Sequence, residues 1–347
     1  MAHPVEQALR DLEAAGAEPG GAACVVRDGR IELEVLVGTT DGTTPWAGDT
    51  LVMAYSVAKP FAALTVLTAV AEGALGLDQR VAELWPEYAT HGKEATTVRH
   101  VLSHQAGLPC FPEAAADLAY DDQDALADLL AGATPDHPPG EGIGEHALTY
   151  GTLCDRLVRA ATGDDLADRF GRIAAEHGWD LHLRVPEADL TRVADVVALG
   201  DWPATYLSDE RWAPALGRPP GVLDPAELNS PRWRRTSMAA ISMHASARGL
   251  ALFYDDVTRP GGAVAALLGP DLHAAYVSAQ VVGHDRVLDR EVRWTLGFQV
   301  DDEDLGMGGA GGCAGWWSFV GDHAVGYVSR GLGAQGADAV WDALTGG

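Results

Sequence analysis

The sequence predicts an α/β (α+β) fold in which the two ends of the chain supply a sheet flanked by helices and the middle supplies a mainly helical subdomain. Three observations carry this. Strand-like runs stand near both ends, over 20–38, 293–300 and 324–329; an apolar helical run occupies 60–72; and the stretch 71–234 is mainly helical and loop-rich. A chain of 347 residues that is 47% hydrophobic buries a large core. It reads as one compact unit of two intimate subdomains, 1–70 with 235–347 and 71–234.

In chain order, 5–14 has the apolar spacing of a helix, and 20–38 reads as two strands joined by a turn at Asp28-Gly29. An apolar run over 51–54 leads into Ser56, and the helix that follows is apolar all round and stops at Gly73. Further on come a helix from Asp122, a turn at Pro138-Pro139-Gly140 and a helix over 148–162 closed by Gly163. A long helix begins at Ser246, and another over 337–344 closes the chain. The acidic run Asp301-Asp-Glu-Asp304 reads as a solvated turn.

Composition narrows the function. The net charge is −26, from 24 basic and 50 acidic residues, and would repel nucleic acid. Cys24, Cys110, Cys154 and Cys313 are scattered without paired spacing, which points to free thiols in a reducing cytoplasm and away from a zinc site. Among the histidines only His100 and His104 stand four apart, and Val101 holds the place where a zinc-protease pattern needs Glu, so neither metal nor cofactor is expected. No run of 18 uncharged apolar residues occurs, and the N-terminus lacks a basic segment followed by an apolar one, so neither a membrane span nor a signal peptide is expected. Composition leaves the oligomeric state open.

The chemistry-bearing feature is Ser56-Val-Ala-Lys59. Residues three apart share a helix face, so the Lys59 amine reaches the Ser56 hydroxyl. A serine hydroxyl is a poor nucleophile near neutral pH and needs an adjacent base; a desolvated lysine supplies one. The pair points to acyl transfer.

Downstream, Gly73-Ala-Leu-Gly-Leu-Asp-Gln-Arg-Val-Ala-Glu-Leu-Trp-Pro-Glu-Tyr88 and Thr97-Val-Arg-His-Val-Leu-Ser-His-Gln-Ala-Gly-Leu-Pro109 follow the pair. With it they resemble the serine β-lactamase-like superfamily, and within it the esterases, transesterases and class C β-lactamase relatives that share the penicillin-binding fold. The resemblance runs from about Ala22 to about Gly333 and implies an antiparallel sheet with a helical subdomain, a small-molecule acyl substrate and a Ser56 acyl-enzyme. It also implies that Ser103-His104 fastens the helical subdomain to the core.

Two motif positions depart from the resemblance. Relatives carry a catalytic tyrosine in a segment such as Gly-Tyr-His-Ala-Leu-Thr-Tyr-Gly. In this chain, Pro139-Gly140 and His146-Ala-Leu-Thr-Tyr-Gly151 set the register and put Glu145 at that tyrosine's position. An ionised Glu145 is expected to raise the Lys59 pKa and to share proton transfer with it. Tyr150 matches the later tyrosine, a packing residue in relatives, and is placed beside the substrate. The late-strand Lys-Thr-Gly or His-x-Gly motif is replaced by Leu305-Gly-Met-Gly-Gly-Ala-Gly-Gly-Cys-Ala-Gly315, so Met307 stands where a cation or His is usual. Met neither carries charge nor donates a strong hydrogen bond, which argues against β-lactam hydrolysis.

A backbone amide near Gly311, Gly312 or Cys313 is expected to complete an oxyanion hole with that of Ser56. Met307, Gly308, Gly311, Gly312, Trp316 and His244 join Tyr150 as expected substrate-binding positions. The resulting expectation is a serine hydrolase or acyltransferase acting on an ester, thioester or amide in specialised metabolism, with Ser56, Lys59 and Glu145 catalytic. Two rivals stand beside it: a binding protein that has lost its proton relay, and a non-covalent elimination or isomerisation with Glu145 as base.

Overall fold

The computed structural model describes residues 3–346. Its centre is an eight-stranded antiparallel sheet in the order Arg30–Gly38, Gly20–Arg27, His323–Ser329, Ala314–Ser318, Asp304–Gly308, Gln299–Val300, Arg290–Trp294, Val281–Asp285. The first and last parts of the chain meet where Gly21 pairs with Ser329 and Val26 with Ala324. Asp28 and Gly29 adopt φ of 51° and 73°, the double left-handed geometry that suits the twist of a two-residue hairpin. Gly20–Arg27 is buried along nearly its whole length, which is why Ala22–Val26 reads as a continuous apolar run without alternation.

Helices cover both faces. Pro4–Ala14 and Gly336–Thr345 pack on one, where Val5, Leu9 and Val340 close over Ala23, Val25, Trp316, Val325 and Tyr327. On the other lies the large core, which includes Leu250 and Phe253 of helix Ala247–Thr258 and Phe61, Leu64 and Leu67 of helix Lys59–Ala71. Lys59–Ala71 is buried all round from Lys59 to Ala69, as a helix without a polar face must be.

Helices Gln123–Gly132, Thr149–Thr162 and Leu166–His177 dominate the middle of the chain. The Asp122 carboxylate caps the first by accepting from the Ala125 amide, and Gly163 at φ 78° ends the second. Short strands tie this region to the rest: Leu181–His182 pairs with His244–Ala245, and Val197–Ala198 runs parallel to Gly331–Leu332.

Two sequence expectations need correction. The run 293–300 is two strands, because the chain reverses at Thr295–Phe298; Gly297, at φ +116°, passes so close to the helix Lys59–Ala71 that a Cβ there would sit 2.9 Å from Ala63 Cβ. Residues 301–304 are a turn only in part. Asp301 accepts from the Glu303 and Asp304 amides, but Asp304 opens a strand and is half-buried. All four cysteines are free, three of them buried and Cys110 partly so. Among the described residues no helix is long and apolar enough to cross a membrane.

Candidate active site

Ser56 opens a single 3-10 turn, Ser56–Ala58, that leads straight into helix Lys59–Ala71. The residue before it, Tyr55, takes φ 50° and ψ −128°, a costly conformation for a side chain with a Cβ. Its surroundings impose it: the ring is fully buried, packs at a tilt with its centroid 5.5 Å from that of Trp202, and its hydroxyl donates to the Val222 carbonyl at 3.0 Å. The kink turns Ser56 toward a cleft of about 470 Å³.

One turn later Lys59 is completely buried, and its three ammonium donors all find acceptors. Nζ donates to Ser56 Oγ at 2.7 Å and to the Ala147 carbonyl at 3.1 Å, and lies 3.1 Å from Glu145 Oε1. Burial lowers the Lys59 pKa below the usual lysine value, with the charge of Glu145 and its hydrogen bond opposing. Glu145 thus raises the lysine pKa as the sequence suggests, but the net direction is downward, because desolvation of a fully enclosed amine outweighs one neighbouring carboxylate.

The Glu145 loop is pinned on both flanks. Its own amide donates to Asp285 Oδ1 at 3.1 Å, and Asp285 also accepts from the Val287 and Leu288 amides and from Trp294 Nε1. On the other flank His104 Nδ1 accepts from the His146 amide at 3.0 Å while the His104 carbonyl accepts from the Gly144 amide. Burial holds the His104 ring well below its ordinary pKa, so it stays neutral and keeps that acceptor. His104 thus fastens the loop that carries Glu145, with its ring against Trp294 and Tyr150, while the Ser103 hydroxyl donates to the Arg99 carbonyl within its own helix.

Other expected positions divide. Met307, Gly308 and Trp316 line the cleft. Tyr150 does not: it is fully buried and its hydroxyl donates to the Leu102 carbonyl, a packing role. His244 also lies away from the cleft, in the three-strand ribbon with Met53 and His182, where burial pushes its pKa down to about 3. Gly311 and Gly312 sit behind the wall. The Gly312 amide donates to the Gly309 carbonyl, and Cβ atoms at the two positions would meet Tyr55, Leu332 and Ala334 rather than the cleft.

Sequence reasoning missed Asp285, Tyr206, Trp212, Asp304 and Trp341; all but Asp285 line the cleft. None belongs to a local motif. Among the described residues no group of His, Cys, Asp or Glu is arranged to hold a metal ion.

Comparison with known proteins gives the family. A model of the Beta-lactamase family matches residues 5–344. The chain belongs to the Beta-lactamase family. Within that family it is 37% identical over 184 residues to the esterase/β-lactamase LipL of Mycobacterium tuberculosis, covering 51% of this chain and 42% of that protein. It is 32% identical over 190 residues to the esterase EstB of Burkholderia gladioli, covering 49% and 47%. The matched region thus spans less than half the length of these two relatives. A penicillin-binding protein homologue from Caulobacter crescentus superposes with a TM-score of 0.83 at 27% identity, over 98% of this chain and 95% of that one. A family VIII carboxylesterase does so with 0.83 at 26% identity, over 99% and 96%. The β-lactamase-family fold, an antiparallel sheet flanked by helices, is therefore that of this chain.

Proposed function

We propose that this β-lactamase-family chain is a serine acyl-transfer enzyme of the esterase type, acting on an ester, thioester or amide through a Ser56 acyl-enzyme. One observation carries the reading: a fully buried amine whose pKa burial lowers holds Ser56 Oγ at 2.7 Å and Glu145 Oε1 at 3.1 Å on the wall of a cleft. Ser56 Oγ attacks the carbonyl carbon as its proton passes to the lone pair of Lys59 in its free-amine form, the form that burial favours, with Glu145 as second acceptor in the relay. Collapse of the tetrahedral intermediate returns that proton to the departing oxygen, sulfur or nitrogen. Water, an alcohol or an amine then resolves the acyl-enzyme by the same relay.

For the oxyanion, the Ser56 amide stands in the first turn of a helix, where no intrahelical partner exists. The second donor is assigned to Ala310, one position before the predicted glycines. Ala310 lines the cleft, whereas the amides of Gly309 and Gly312 are occupied by the carbonyls of Cys313 and Gly309. Met307 at the usual cation position favours substrates without the β-lactam carboxylate.

Intact-protein mass spectrometry after treatment with a fluorophosphonate tests the reading. The wild type is expected to gain one probe mass and Ser56→Ala none; an unlabelled wild type across several probes overturns it. Esterase activity that survives Ser56→Ala but is lost in Glu145→Gln would assign the chemistry to a non-covalent base.

A further inference from the structure

The cleft extends past Ser56 along the Gly308 end of strand Asp304–Gly308 to the start of the C-terminal helix. In this wing Trp316 and Trp341 form the wall, and Asp304 and Asp338 are its acidic groups. The two indoles lie with centroids 6.0 Å apart at an interplanar angle of 51°, so their planes are inclined like the walls of an aromatic cage. Gly308 leaves the strand backbone bare, a Cβ there meeting nothing within 4 Å, whereas Gly306 lies under Trp316, whose Cβ would stand 2.7 Å from a Cβ at that position.

The charges are unmet. Among the described residues the half-buried Asp304 carboxylate has neither a hydrogen-bond donor nor a cation within 4 Å, and Asp338, exposed at the start of the helix, has no ion-pair partner. Asp301 and Glu303 are the neighbouring charges acting on Asp304; they are of like sign and, after burial itself, push its pKa up to about 6. The one cation in the cleft lining, Arg290, donates to Gln299 and has no carboxylate within ion-pair distance.

We infer that this wing binds a cationic ammonium group carried by the acyl substrate, with the positive charge beside the Asp304 carboxylate and the indoles of Trp316 and Trp341, and Asp338 adding negative potential at the rim. The inference rests on the acyl-enzyme reading and names its substrate class: esters or amides that bear a permanently charged or protonated amine. Indole faces attract ammonium ions, and tryptophan is the strongest aromatic partner. An unpaired, partly desolvated carboxylate gains most from a counter-ion. The surrounding charge of −26 draws cations toward the molecule. Strand rise puts Asp304 roughly 13 Å from Gly308, which sets the distance between the ammonium and the reacting carbonyl at about one extended ten-carbon chain.

The test compares esters whose ten-carbon chain ends in trimethylammonium with their uncharged tert-butyl isosteres, the charge being placed on the acyl side in one series and on the alcohol side in the other. Acid release gives kcat/KM for each. At low salt, a preference for the charged ester of about tenfold or more is expected in one of the two series. In Asp304→Asn/Asp338→Asn the charged-to-neutral ratio is expected to fall toward one, and in Asp338→Lys, at an exposed position that folding tolerates, below one. A wild-type ratio of one or less in both series, or a ratio unchanged in these variants, overturns the inference. Calorimetry with the uncleaved trimethylammonium amide separates the two readings. Binding that depends on Asp304 and Asp338 without Ser56 labelling would remove the acyl-enzyme and keep the cation site, whereas Ser56 labelling without such binding would do the reverse.

Discussion

The energetics of the site centre on Lys59. A lone buried ammonium is costly, and this one is supported by a hydroxyl, a carbonyl and a carboxylate that together use all three of its donors. Removing Glu145 withdraws the influence that raises the lysine pKa, so in Glu145→Gln the ascending limb of the kcat/KM profile should move to lower pH. If Glu145 also relays the proton, the plateau should fall by about 100-fold or more; a shifted limb with an undiminished plateau would leave Glu145 a purely electrostatic part. Asp285 acts on Glu145 through the backbone. Asp285→Asn exchanges an acceptor-only carboxylate, bonded to three amides and an indole N–H, for a group with one acceptor oxygen. It should cost about 2–3 kcal/mol of stability and lower kcat more than it raises KM, as denaturant titration and steady-state kinetics would show. Ser56, Lys59 and Glu145 are legible in the sequence because two lie one helical turn apart and the third in a segment with fixed landmarks. Asp285 is not: it stands 140 residues from Glu145, and only the fold brings it there.

At the scale of elements, the strand Asp304–Gly308 and the loop after it have to reach the nucleophile turn. They do so through glycine: a Cβ on Gly309 would stand 2.1 Å from the Ala54 carbonyl oxygen, a backbone atom with no freedom to yield. Gly309→Ala should displace the oxyanion segment and lower kcat by about 100-fold while circular dichroism stays that of the wild type. Activity within a few-fold of wild type would show that the segment has no such role. The same glycines explain which elements the sequence reveals. The helices from Asp122 and to Gly163 carry caps, and the first hairpin carries an Asp-Gly turn, all of them local signals. Strands Val281–Asp285, Asp304–Gly308 and Ala314–Ser318 are short and contain glycines where alternation would otherwise show, and the last two border the cleft.

The whole molecule should respond to acid through its buried histidines. His146 and His244 have pKa values pushed by burial from 6.5 down to about 4 and about 3, and His104 lies well below 6.5. A base whose folded pKa lies below its unfolded one lets the unfolded chain take the proton first. Stability is therefore lost as pH falls below 6.5, by about 1.4 kcal/mol per pH unit for each such histidine, until the folded value is reached. Glu18, Asp155 and Asp304, whose carboxyls burial raises, act in the opposite direction as they protonate. The histidine part is thus read as a difference: urea midpoints measured from pH 7 to pH 4 should decline less steeply for His244→Asn than for the wild type, and equal slopes would refute it.

What this sequence determined by itself is whatever rests on neighbours in the chain: the serine and lysine on one helical turn, the buried helix behind them, the hairpin and capped helices, and the family that these motifs resemble. The tertiary structure alone decided the sign of the Lys59 pKa shift, the pinning of Glu145 by Asp285 and His104, the exclusion of Tyr150 and His244 from the cleft, and the cleft's aromatic and acidic wing. Desolvation and long-range hydrogen bonding depend on which distant segments enclose a group, and no local pattern of residues records that enclosure.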